Sequence, residues 1–98
     1  MITLPDPIAF LWDEGNEQKN LKKHGIGLQE IEEVFFDPDK KLFEDRLHSG
    51  KEERNILLGK TKQERMLFVA FTIRSNKIRV ISARDLNKKE RSLYEKAA

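Results

Sequence analysis

Seven side chains of this 98-residue chain could do chemistry at a phosphate: Lys23, His24, His48, Arg54, Arg79, Arg84 and Tyr94. Histidine gives and takes protons near neutral pH. Lysine and arginine hold anionic oxygens, arginine through a planar fork that fits a phosphate. Metal-free cleavage of RNA needs little more than such a set. A base removes the 2′-hydroxyl proton, cations stabilise the crowded phosphate, and an acid protonates the leaving oxygen. Each residue also has a structural role open to it. His24 stands where a helix should end, and a cation there complements the helix dipole. Arg79 could be a solvated or ion-paired strand residue. Arg84 could pair with Glu90, and Tyr94 could pack its ring and hydrogen-bond its hydroxyl.

Other chemistries are poorly served. There is no cysteine, hence no thiolate nucleophile, thiolate metal site or disulfide. No phosphate-cradling glycine loop, dinucleotide fingerprint or zinc spacing occurs. Two histidines alone do not hold a metal, and the possible carboxylate partners match no recognised ligand spacing, so no metal and no cofactor are expected. Glu52 and Glu53 are adjacent, which in a strand aims them at opposite faces and argues against a paired-acid dyad.

Composition bounds the rest. The chain is 38% apolar and 37% charged, with 19 basic and 17 acidic residues and a net charge of +2. That fits one domain over 1–98, with any nucleic-acid surface confined to a local patch. The N-terminus lacks the basic start and long apolar run of a signal peptide, and no stretch approaches a membrane span, so a cytoplasmic protein is expected.

Positioning these groups falls to an α+β fold. Residues 1–7 read as an irregular lead-in. Ile8–Trp12 reads as a short strand, with Asp13 capping a helix over 14–24 that His24-Gly25 ends. That helix is polar, and Asn20, Lys23 and His24 share one side of it. Leu28–Phe36 reads as a second helix with an apolar stripe of Leu28, Ile31, Val34 and Phe35, stopped by Asp37-Pro38. Lys41–Glu44 and Arg54–Lys60 read as strands, the second followed by a hairpin loop at Thr61–Arg65. Asn87 and Glu90 predict a capping box for a last helix near Lys88–Lys96. Its apolar side is Leu86, Leu93, Tyr94 and Ala97. The order predicts an antiparallel sheet of about four to five strands with helices covering one face, leaving the other for a ligand.

Met66–Ile73 and Lys77–Arg84 are strand-like and flank a tight turn at Ser75-Asn76. A two-residue turn pairs Ile73 with Ile78, Thr72 with Arg79, Phe71 with Val80, Ala70 with Ile81 and Val69 with Ser82. Val69, Phe71, Ile73, Ile78 and Val80 then face the core. Arg79 lies mid-strand on the more polar face, beside Thr72. Arg84 falls on the core-side phase.

The residues that carry this chemistry also carry a family resemblance. Trp12-Asp13, Asn20, Lys23-His24-Gly25, His48-Ser49 with Glu52-Glu53-Arg54, Gly59, Arg79 through Arg84, and Glu90-Arg91 with Tyr94 resemble the BrnT family. The likeness runs from about Phe10 to Glu95. It implies a RelE-like fold, ribonuclease activity that blocks translation, and a place in a type II toxin–antitoxin system. It also implies a BrnA-like ribbon-helix-helix antitoxin, a heterotetramer, and contact with operator DNA only through that antitoxin. Two positions depart from the pattern: Asn16 where many relatives have lysine, and Gly50 where an acidic residue is frequent.

The expectation is therefore a metal-independent endoribonuclease toxin. His24, His48, Arg54, Arg79 and Tyr94 are its candidate catalytic residues, and Lys23 and Arg84 its candidate RNA contacts. The two histidines are not ranked. The antitoxin is expected to cover Lys23, His24 and Arg79. The alternative is a non-catalytic module that holds nucleic acid or protein on the same surface.

Overall fold

The computed structural model describes residues 3–13, 25–47 and 50–96. Among these run α1 (Leu28–Val34), β1 (Lys41–Glu44), β2 (Asn55–Lys60), β3 (Met66–Arg74), β4 (Lys77–Asp85) and α2 (Lys88–Glu95). The strands form one antiparallel sheet in the order β1-β2-β3-β4. The fold class is α+β, as the sequence predicts. The predicted helix over 14–24 lies outside the described residues.

The predicted strand at Ile8–Trp12 is instead a single parallel bridge from Phe10 to Ile78. Ile78 N donates to Ala9 O, and Leu11 N donates to Ile78 O, each at 2.8 Å. Side chains, rather than a ladder, fix this segment. The Phe10 ring meets Phe35 edge-on at 5.2 Å, and Trp12 Nε1 donates to Glu32 Oε2 at 2.7 Å.

Ser75 and Asn76 both have positive φ, 50° and 60°, the signature of a type I′ hairpin turn. The predicted pairs Ile73–Ile78, Thr72–Arg79 and Phe71–Val80 form. Beyond them a β-bulge between Ala70 and Phe71 shifts the register, so Ala70 faces Ser82, Val69 faces Ala83 and Phe68 faces Arg84. The predicted pairs Ala70–Ile81 and Val69–Ser82 are thus displaced by one residue. The extra residue reverses the facing of the rest of β4. Ala83 turns into the core, and Arg84 leaves the predicted core-side phase for the opposite face.

Adjacent Leu57 and Leu58 show how the sheet uses both faces. Leu57 packs with Ile31, Val34, Phe35 and Phe71 beneath α1. Leu58 packs with Leu86 and Tyr94 beneath α2. The helices therefore do not share a face as predicted; α2 covers one end of the second. The other end is narrowed by residues 50–54, where the Thr72 hydroxyl donates to Glu53 O at 2.9 Å. Burying each large apolar side chain contributes about 1.5–3 kcal/mol. Gly59 lets α1 sit this close to β2: a Cβ there would lie 2.8 Å from Val34 O.

The predicted capping box opens α2. Glu90 N donates to Asn87 Oδ1 at 2.8 Å, and Asn87 N donates to Glu90 Oε1 at 3.0 Å. Of its predicted apolar side, Leu86 and Tyr94 are buried, Leu93 is exposed, and Ala97 lies outside the described residues.

Candidate active site

Arg79 is held rigidly in mid-β4, opposite Thr72. Its Nη1 donates to Asp13 Oδ2 at 2.5 Å. Arg54 immediately precedes β2, and its Nε lies 3.6 Å from Asp45 Oδ2. Carrying the β2–β3 register one residue past Asn55–Phe71 sets Arg54 opposite Thr72 as well. Arg54, Thr72 and Arg79 thus form a row across three strands. Two interstrand spacings put Arg54 and Arg79 roughly 10 Å apart at the backbone.

Both arginines line an open cleft of about 290 Å³ with Gly50, Lys51, Glu52 and Arg74. Sequence reasoning passed over Arg74, weighed Glu52 as half of an acid pair rather than as an arginine partner, and read Asp13 as a helix cap. The hairpin register was the signal for Arg74, since two residues along a strand return to the same face. Arg74 forks the Glu52 carboxylate, Nε to Oε2 at 2.7 Å and Nη2 to Oε1 at 2.6 Å. That hydrogen bonding holds the Glu52 carboxyl below its usual range against an opposing effect of desolvation, helped by the charges of Arg74 and Arg79. Glu52 in turn pushes the Arg74 guanidinium up, and the Asp13 charge adds to this.

Charge decides which depression suits a polyanion. The cleft is lined by four cationic side chains, Lys51, Arg54, Arg74 and Arg79, against Glu52 and Glu53. A larger depression of about 630 Å³ beside α1 has the opposite balance, Glu32, Glu33, Asp37 and Asp39 against Lys60 and Lys62. With Asp13 on Arg79 and Asp45 on Arg54 the smaller cleft is balanced in charge, whereas the larger is net acidic and repels phosphate, so the smaller is the better seat for a polyanion.

Arg84 and Tyr94 belong to the other end of the sheet. Arg84 opposes Phe68, four residues along β3 from Thr72, and so lies roughly 13 Å from Arg79 along the strand direction. Its guanidinium forks Glu90 at 2.7 and 2.8 Å and stacks 4.0 Å from the Phe68 ring centroid. Tyr94 is buried, and its hydroxyl donates to Asp37 Oδ2 at 2.5 Å. Burial, then that bond and the negative charge of Asp37, push the phenol well above its usual range.

Lys23, His24 and His48 lie outside the described residues, but their neighbours are placed. Gly25 O accepts from Arg65 Nη1 at 3.1 Å, and Arg65 Nε pairs with Asp85 at 2.8 Å, at the end of the sheet away from Arg79. Gly50, two residues after His48, lines the cleft. Among the described residues, no three histidine, aspartate or glutamate side chains gather as metal ligands. No described helix is long and apolar enough to cross a membrane.

The cleft can grip a phosphate from two sides with guanidiniums that the sheet holds in place. No curated protein matches the chain. One family description does, "ribonuclease toxin, BrnT, of type II toxin-antitoxin system", over residues 12–90, which takes in Asp13, Arg54, Arg74 and Arg79. With most of its length matched, the chain belongs to the BrnT family, the ribonuclease toxins of type II toxin–antitoxin systems, and an antitoxin is its partner.

Proposed function

We propose that the chain cleaves RNA in the Arg54–Arg79 cleft, without a metal, by attack of a 2′-hydroxyl on the adjacent phosphorus. A base takes the hydroxyl proton as O2′ bonds to phosphorus. Arg79 and Arg54 hold the non-bridging oxygens while charge builds on them. The bond from phosphorus to O5′ breaks and an acid protonates O5′. The products are a 2′,3′-cyclic phosphate and a free 5′-hydroxyl.

The observation that carries this reading is the Arg54–Thr72–Arg79 row opening into a guanidinium-lined cleft, in a chain of a ribonuclease family. His24 or His48 serves as the proton-transfer group, the two standing unranked. Lys23 is a further RNA contact. Arg84 and Tyr94 take no part in the step.

A RelE-like fold, a cytoplasmic setting and a block of translation through RNA loss accompany this activity. The partner is a BrnA-like ribbon-helix-helix antitoxin that covers Arg79 and the Lys23–His24 side, joins two toxin chains as a heterotetramer, and alone contacts operator DNA. The test is RNA cleavage by purified protein in excess chelator. Fragments ending in 2′,3′-cyclic phosphate are expected; intact RNA, or undiminished cleavage by Arg79→Ala, would overturn the assignment. For the partner, Arg79→Glu should weaken antitoxin binding most at low salt, where screening is least. Unchanged affinity there would move the docking surface elsewhere.

A further inference from the structure

The proposed reaction leaves one guanidinium of the cleft unused. Arg74 closes β3, and it is diagonal to Arg79, because Arg79 opposes Thr72 and Arg74 lies two residues on. Diagonal neighbours on one face stand roughly 7–8 Å apart, within reach of long side chains. Each guanidinium holds a carboxylate: Arg79 holds Asp13 at 2.5 Å, and Arg74 holds Glu52 at 2.6 Å. The two pairs sense each other, Glu52 through the Arg79 charge and Arg74 through the Asp13 charge.

Stability does not account for the arrangement. The Arg74 and Glu52 side chains are 47% and 42% exposed, and the Asp13 side chain is 50% exposed on an Arg79 side chain that is 20% exposed. Ion pairs so exposed contribute little to folding. What they do is orient the guanidiniums, Glu52 engaging the Arg74 fork at two points and Asp13 engaging Arg79 at one, in the geometry that a carboxylate and a phosphate share. Releasing an exposed carboxylate to water strands no buried charge, so exchange for a phosphate is inexpensive.

We infer that Arg74 is a second phosphate-binding side chain, and that the cleft takes two successive phosphates of one RNA strand, on Arg79 and Arg74, displacing Asp13 and Glu52. The identity of the polyanion rests on the cleavage reading. Because each phosphate replaces a resident carboxylate, the strand is held less tightly than by bare cations and leaves readily after cleavage. Asp13 and Glu52 act as placeholders that orient the forks between turnovers.

The test uses the full chain and a short, uncleavable 2′-O-methyl oligoribonucleotide, with binding followed by fluorescence anisotropy over a salt series. Arg74→Ala should bind about threefold to tenfold more weakly, and the slope of log affinity against log salt should fall by about 0.7, one single-strand phosphate contact. Arg74→Lys should keep the slope, since the charge remains. Glu52→Gln should bind about threefold more tightly at low salt, its competing charge gone. Lys62→Ala, in the acidic depression, should change neither value. Wild-type affinity and slope in Arg74→Ala overturn the inference, as do weakened binding with an unchanged slope, Glu52→Gln binding no tighter than wild type, or a wild type that does not bind. Cleavage of unmodified RNA is followed separately. If the binding shifts appear but no RNA is cut, the reaction is wrong and the two-phosphate cleft stands.

Discussion

Tyr94 and Asp37 are 57 residues apart and meet through a hydrogen bond of 2.5 Å from the phenol to carboxylate Oδ2. The same carboxylate accepts the backbone N–H of Lys60 at 2.8 Å and of Asp39 at 2.9 Å. One side chain thus joins the end of α1, the end of β2 and the last turn of α2. Burial pushes the Asp37 carboxyl up, but the Tyr94 hydroxyl, the two backbone N–H groups and the Lys60 charge outweigh it and hold the group below its usual value.

Tyr94→Phe should therefore act on stability. Removing a hydrogen bond to a buried charged group costs about 1–3 kcal/mol, to be read as a lower urea midpoint. RNA cleavage, compared under conditions where both proteins are folded, should stay within a few-fold of wild type. A folded Tyr94→Phe protein that no longer cuts RNA would return Tyr94 to the catalytic set.

The same contact fixes a pH dependence. The folded pKa of Asp37 lies below its ordinary 3.8, so its contribution is present above that value and is lost as the pH falls through the lower folded one. Glu90 behaves alike from its ordinary 4.5, because Arg84 hydrogen-bonds its ionised form and outweighs burial. Tyr94 has the opposite sign: its neutral form is favoured, so its contribution is present below 10 and fades at alkaline pH. Melting temperature followed into acid should fall for wild type and fall less steeply for Asp37→Asn. Parallel acid limbs would remove Asp37 as the cause.

Gly59→Ala tests the contact between α1 and β2. The added methyl would lie 2.8 Å from Val34 O and 2.9 Å from Val34 Cβ, both on the helix it packs against. Overpacking of this kind costs about 1–3 kcal/mol, measured by chemical denaturation. A stability equal to wild type would show that α1 moves away freely.

Arginine substitutions separate the two ends of the sheet. Arg79→Ala should lower the single-turnover cleavage rate by about 10²–10³-fold, as loss of one preorganised transition-state donor does. Arg79→Lys should recover only part of it, because lysine lacks the fork. Arg84→Ala should lower stability through its Glu90 and Phe68 contacts and leave the folded protein's cleavage rate nearly unchanged. A larger rate loss in Arg84→Ala than in Arg79→Ala would relocate the site.

What was legible in the sequence was local. Ser75-Asn76 marked the turn, alternation marked the core faces, and Asn87 with Glu90 marked the cap. Each is settled within a few residues. The bulge was not legible, because no glycine marks it in Ala70–Phe71 or Val80–Ser82; it became visible only where Ala83, not Ser82, fills the core. Ile8–Trp12 read as a strand because it is apolar, yet its aromatic rings bury themselves without a ladder. Asp37–Tyr94 and Glu52–Arg74 join residues far apart in sequence, and no spacing rule announces such pairs. The Arg79 position followed from the hairpin alone, whereas its Asp13 partner needed the bridge to Ile78.

Each strand pairs with the strand synthesised just before it, which keeps loop closures short and favours fast folding. The cleft obeys a different schedule. Arg54 stands before β2, Arg74 ends β3, and Arg79 arrives only with β4. As the chain emerges N-terminus first, a product halted before β4 lacks the row of guanidiniums. On the proposed assignment, the phosphate-binding surface is the last part of the molecule to be completed, and a truncated polypeptide carries the scaffold without it.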